Sequence, residues 1–218
     1  MTHLARIGLA AMLVAGGVCA AIAEPTDQPN TRLLDPATEK PGLKVGDKAP
    51  ALTLLDSEGA EVNLGELYRS KAPVVVTFYR GGWCPFCNRA LMGWAEKMDD
   101  LASAGGTFVA ISPETAEHAV ETEKKTKGDW VTLVDAQGKA LRAFRVGFKV
   151  DDKTEQRYRG FGINLDTHNA SGRWELPAPS TFVIDKDGVV RWAFNDWDYK
   201  KRADPDRVIA EVRKLAHR

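Results

Sequence analysis

The apolar positions of this chain switch repeatedly between the period of a strand and that of a helix. Residues 74–79 (Val-Val-Val-Thr-Phe-Tyr) and 107–112 (Thr-Phe-Val-Ala-Ile-Ser) show no polar alternation, which predicts strands buried on both faces. Shorter strands are predicted at 52–55, ahead of a turn at 56–59, and at 130–134, while 62–68 reads as a strand end running into a helical turn. Between the strands, Ala90, Leu91, Trp94, Met98 and Leu101 recur at helical intervals until Gly105-Gly106 stops the pattern. A second helix is predicted from Pro113 to Lys127, and a shorter one over 138–144. Residues 181–184 and 189–194 flank Asp185-Lys186-Asp187-Gly188, a hairpin signal. Asp204-Pro205 opens a last helix with Val208, Ile209, Val212 and Leu215 on one face. Alternating strands and helices that end in a hairpin and a helix predict an α/β domain, a central mixed sheet with helices on both faces.

Two stretches break the pattern. Residues 24–42 contain Pro25, Pro29, Pro36 and Pro41 with little periodicity, and read as a linker or loosely attached arm ahead of a domain at 43–218. Residues 147–179 read as a long, weakly structured insertion that packs through Phe148, Phe161, Ile163 and Trp174. It is expected to form either a wall beside the functional site or a surface excursion held by its own aromatics.

Residues 1–23 carry the pattern of an export signal. Arg6 supplies the positive region, 7–18 the apolar one, and Ala21-Ile22-Ala23 a small-x-small cleavage site. Val18 is a poor neighbour for lipid attachment at Cys19, so the expectation is cleavage after Ala23 and release to the periplasm or the exterior, with no stable membrane insertion afterwards. Cleavage removes Cys19 and leaves two of the three cysteines, both in one motif. Lys and Arg total 30 against 30 Asp and Glu, a balance that recommends neither nucleic acid nor an anionic membrane as partner.

That motif is Arg80-Gly81-Gly82-Trp83-Cys84-Pro85-Phe86-Cys87-Asn88, directly after the buried strand at 74–79. Pro85 suits the first helical turn, where its missing N–H costs nothing, and this places Cys84 at a helix N-terminus. Unpaired N–H groups and the helix dipole there favour a thiolate at Cys84. Cys87 follows three residues later on the same face, about 5–6 Å away between Cβ atoms, close enough for a Cys84–Cys87 disulfide after a small adjustment. On this reading Cys84 attacks and Cys87 resolves. A purely structural disulfide closing so short a loop removes little unfolded-state entropy. Zinc lacks a second ligand pair, and haem attachment lacks a His at position 88. A cofactor-free, metal-free redox dithiol is the expectation. Arg80, the nearest cation in sequence, is a candidate to stabilise the thiolate, with Arg145 and Arg191 weaker ones. His118, His168 and His217 have no spacing that nominates a base.

FYRGGWCPFCNRAL, VAISPET, ELPAPSTFVIDKDGVVRWAF and the following DWDYKKRADP together resemble the alkyl hydroperoxide reductase and thiol-specific antioxidant (AhpC/TSA) superfamily, on the peroxiredoxin-like branch that carries C-x-x-C. The resemblance implies a thioredoxin fold and an exported thiol peroxidase. Its substrate would be hydrogen peroxide or an organic hydroperoxide, and its Cys84–Cys87 disulfide would be reset by a thioredoxin-like or other dithiol reductant. Family members place a Thr three residues before the peroxidatic Cys and a Pro four before that Thr. Counted from Cys84, these positions hold Gly81 and Thr77, which implies slow peroxide turnover. Trp83 resembles the neighbour of the first cysteine in thioredoxin, and Pro85-Phe86 the dipeptide of glutaredoxin; both imply the alternative of a thiol:disulfide oxidoreductase acting on exported proteins. A third reading is a non-catalytic binding protein on the same fold. Pro179 resembles the cis-proline that faces the disulfide in thioredoxin folds.

Overall fold

The computed structural model describes residues 32–216. A seven-stranded mixed sheet forms the centre, built from β1 (Thr53–Asp56), β2 (Glu61–Asn63), β3 (Val74–Phe78), β4 (Thr107–Ser112), β5 (Val131–Val134), β8 (Ser180–Ile184) and β9 (Val190–Asn195) in the order β2-β1-β5-β4-β3-β8-β9. The central β3, β4 and β5 run parallel, and β8, β9, β1 and β2 extend the sheet antiparallel on either side. The period-two geometry of a strand divides the apolar residues cleanly. Val74, Val76 and Phe78 of β3 join Val109, Ile111, Phe182 and Ile184 in one core, with Leu64 and Tyr68 of α1 (Leu64–Lys71) and Leu141 of α5 (Lys139–Ala143). Val75, Phe108, Ala110 and Val183 face the other core, which α2 (Pro85–Ala95), α3 (Met98–Ser103) and α8 (Pro205–Ala216) cover with Leu91, Trp94, Leu101, Val208 and Val212. Each such side chain contributes about 1.5–3 kcal/mol when fully buried, and this is why β3 carries no polar face.

Several boundaries differ from the sequence expectation for local reasons. The helix predicted across Ala90 to Leu101 is two helices, because the Glu96 N–H turns back to the Met92 and Trp94 carbonyls and closes α2. The next helix, α4 (Ala116–Thr126), begins after Thr115, whose hydroxyl caps the His118 N–H, so Pro113 lies in the loop ahead of it. The arm is docked across its described part: Leu34 is buried and donates its N–H to the Gly147 carbonyl at 2.8 Å, and Trp197 Nε1 donates to the Glu39 carbonyl at 2.8 Å. Residues 1–31, which include the export pattern, lie outside the described residues.

The insertion is ordered into β6 (Gly147–Lys149), α6 (Asp152–Gly160), α7 (Leu165–His168) and β7 (Glu175–Pro177), with β6 and β7 paired antiparallel. It has a small core of its own in Val150, Leu165, Trp174 and Leu176, and Trp83, Phe148 and Tyr158 pack against that core. Glu175 anchors it to α5 by accepting from Arg142 Nη2 at 2.8 and 3.0 Å. Phe148, Ile163 and Trp174 pack as expected and Tyr158 reaches the dithiol motif, but Phe161, expected to pack with them, is 74% exposed just past the end of α6.

Candidate active site

Strand β3 delivers the chain to Gly81-Gly82, and the chain turns there into α2. Cys84 is the N-cap residue of α2, in extended geometry (φ −89°, ψ 112°), and Pro85 is its first helical residue. Gly81 sits at φ +143°, where a side chain is strained, and a Cβ there would lie 2.5 Å from Trp83 Nε1. Both cysteines are reduced and buried, Cys84 3% and Cys87 1% exposed.

Their surroundings differ, and the cationic and N–H donors gather on Cys87 rather than on Cys84, the sulfur read as the attacking one from the sequence. Arg202 Nη2 lies 3.1 Å from Cys87 Sγ, and the Arg80 backbone N–H points at the same sulfur from 3.5 Å. Burial alone opposes a charge on Cys87, but the hydrogen bond from the Cys84 thiol, the Arg202 charge and the Arg80 N–H outweigh it and hold the Cys87 thiol below its ordinary pKa. Cys84 is pushed up, first by its hydrogen bond to Cys87, then by burial and by the Cys87 charge. These contacts favour a negative charge on Cys87 over one on Cys84. The dipole at the N-cap is weaker than a guanidinium in contact, which is why the cap position did not decide the matter.

Counting from Cys87 changes the spacing argument as well. The position three residues earlier is then Cys84 itself, with Arg80 four before that, so Gly81 and Thr77 are not the relevant departures. Thr77 is a packing residue, its hydroxyl 2.8 Å from that of Thr181. Arg80 acts on Cys87 through its main-chain N–H and, to a smaller extent, through its charge. Its guanidinium is held aside, stacked on Phe148 and Tyr199 at 5.5 and 5.1 Å and donating to the Pro177 carbonyl and the Tyr158 hydroxyl at 3.4 and 3.3 Å. Trp83 packs edge-on against Tyr158, with ring centroids 5.4 Å apart.

The side of the turn facing α4 is polar. Glu114, 1% exposed, accepts the Gly82 N–H at 2.7 Å, while Asn88 Nδ2 and Lys125 Nζ donate to the Gly82 carbonyl at 2.8 and 3.1 Å. Burial raises the Glu114 pKa to about 7. His118 and His168, unconnected in sequence, meet beside it with tilted rings whose centroids are 4.5 Å apart. Burial and the neighbouring His118 lower the pKa of His168.

Pro179 departs from the expectation. The cis peptide among the described residues is Ala72–Pro73, and the chain at Pro179 is already paired. The Ala178 N–H donates to the Val146 carbonyl at 2.8 Å and the Pro179 carbonyl accepts from the Asp196 N–H at 3.2 Å. Arg191 is engaged by Asp185 and Arg145 lines a separate cavity of about 700 Å³ between the arm and the end of β9, so neither faces the thiols. Sequence reasoning missed Arg202, Tyr158 and Glu114. The basic run Lys200-Lys201-Arg202 ahead of α8 was the one available signal for the first.

Comparison with known proteins places this geometry. The AhpC/TSA family model matches residues 45–193. Peroxiredoxin Q from chloroplasts of Oryza sativa subsp. japonica is 27% identical over 170 residues, which cover 78% of this chain and 65% of that protein. Peroxiredoxin Bcp of Escherichia coli (strain K12) is 27% identical over 162 residues, 74% of this chain and 92% of the relative. Among solved structures, Peroxidoxin BcpB from Mycobacterium tuberculosis superposes with a TM-score of 0.62 at 23% identity, covering 79% of this chain and 98% of that one. Xanthomonas campestris Peroxiredoxin Q gives 0.60 at 19% identity, covering 79% and 98%. These superpositions identify the mixed sheet and its helices as a thioredoxin fold, and with the family model spanning more than half of its length the chain belongs to the AhpC/TSA family.

Proposed function

We propose that the protein is a thiol peroxidase that reduces hydrogen peroxide or organic hydroperoxides through a Cys84–Cys87 dithiol/disulfide cycle, reset by an external dithiol. The observation that carries this reading is the pair of donors on Cys87 Sγ, Arg202 Nη2 at 3.1 Å and the Arg80 N–H at 3.5 Å. They stabilise the attacking thiolate. The Cys87 thiolate attacks the terminal peroxide oxygen, the S–O bond forms as the O–O bond breaks, and the leaving alkoxide or hydroxide takes up a proton. Cys84 sulfur then attacks the Cys87 sulfenic acid, and the hydroxyl group leaves as water. A reductant restores both thiols by exchange. For location, the pattern at 1–23 supports export.

The test is to treat each single-cysteine variant with peroxide and locate the oxidised sulfur by mass spectrometry. Cys84→Ser is expected to accumulate a sulfenic acid on Cys87, and Cys87→Ser to consume peroxide at least ~100-fold more slowly than the wild type. A sulfenic acid on Cys84 in the Cys87→Ser variant, formed at the wild-type rate, would return the attacking role to Cys84.

A further inference from the structure

We propose that Glu114 is the positioning residue of the dithiol turn: by holding the Gly82 peptide, it keeps Cys84 at the helix cap with its sulfur against Cys87. The inference rests on the dithiol/disulfide reading above and deepens it. Glu114 Oε1 takes the Gly82 N–H at 2.7 Å, and Thr122 Oγ1 lies 3.2 Å from Oε2. The carbonyl of the same residue is held by Asn88 and Lys125, so the peptide groups on both sides of Gly82 are gripped two residues before Cys84. Gly82 admits this grip because it lacks a side chain, since a Cβ would stand 2.2 Å from Thr122 Oγ1. Glu114 is itself fixed, its N–H donating to Ser112 Oγ at 3.2 Å and its backbone bridging to Asn169 of the insertion.

The grip is sensitive to protonation. The groups facing Glu114 are Tyr79 from the end of β3, His118, Glu121 and Lys125 from α4, and His168 from α7, the last four around a cavity of about 210 Å³. Desolvation raises the seated carboxyl to a pKa of about 7, whereas a carboxyl released to solvent ionises in the ordinary carboxylate range. By linkage the holding is complete below that ordinary range and is lost as pH rises through about 7. A glutamine keeps the acceptor oxygen and never ionises.

The experiment is the equilibrium of the pair with glutathione, which reports the effective concentration of Cys84 toward Cys87 without peroxide. Near pH 6, Glu114→Ala should lower it about tenfold or more and Glu114→Gln by less than about threefold. The wild-type value divided by the Glu114→Gln value, in which the shared thiol ionisations cancel, should fall about threefold or more between about pH 6 and about pH 8. An Ala variant at the wild-type value, or a ratio flat with pH, overturns the proposal; if the Ala variant does not fold, the ratio alone decides. Failure of the peroxidase reading shows separately, as a pair that equilibrates with glutathione but ignores peroxide. A pair left reduced by excess glutathione disulfide removes the disulfide on which both readings stand.

Discussion

The two sulfurs are one helical turn apart, yet they belong to different regions of the molecule. Cys87 faces inward, among Thr77, Tyr79, Leu91, Thr181 and Arg202, where an apolar wall surrounds one cationic contact. Cys84 faces the Gly81-Gly82 turn, whose shape is set by Glu114, Asn88 and Lys125 and roofed by Trp83 and Tyr158. The first region acts on charge and the second on position. A dithiol needs both, because a thiolate without an aligned partner stays at the sulfenic acid, and an aligned pair without a thiolate does not start.

The sharpest way to break this division is to remove the charge. Arg202→Met should raise the Cys87 thiol pKa, since the cation that favours the anion is gone while burial remains. Because only the thiolate reacts, alkylation of Cys87 near pH 6 should slow by about 100-fold, with the rates converging at high pH. An unchanged rate–pH profile would show that position alone makes the thiolate. Glu114→Gln tests the other region through stability. The raised Glu114 pKa means that the wild type loses stability as pH rises from the ordinary carboxylate range through about 7. The variant should therefore be more stable by about 2 kcal/mol near pH 8, a gap that closes in acid and is read from denaturant unfolding at both pH values. Tyr158→Phe should do least. It removes the hydroxyl that accepts from Arg80 at 3.3 Å, costs about 1 kcal/mol of stability, and leaves Cys87 alkylation within about twofold. A larger fall in reactivity would move control from Arg202 to the insertion.

The sheet was legible because burial on both faces leaves a residue-level mark, the unbroken apolar runs of β3 and β4. Pro85 likewise marked the start of α2. The insertion was illegible for the opposite reason. None of the α6 residues is buried, and the helix is held by its Asp151 cap and the Glu155–Arg159 pair rather than by an apolar stripe. Arg202 and Glu114 reach the site from 115 and 32 residues away in sequence, across elements whose packing no local pattern specifies. The proposed attacking role of Cys87 depends on Arg202, a contact that the motif alone does not contain.

Arg80 and Arg202 share one further property: among the described residues, neither meets a carboxylate in an ion pair. Arg80 is 5% exposed and is matched by two ring faces, a carbonyl and a phenol. A thiolate on Cys87 is thus the counter-charge open to this part of the interior, and only the reduced protein can carry it. Oxidation to a disulfide would erase it and leave both cations without that counter-charge. Electrons are held more tightly wherever the reduced form is the better solvated one, so the same arginines that make the thiolate also raise the reduction potential of the disulfide that replaces it.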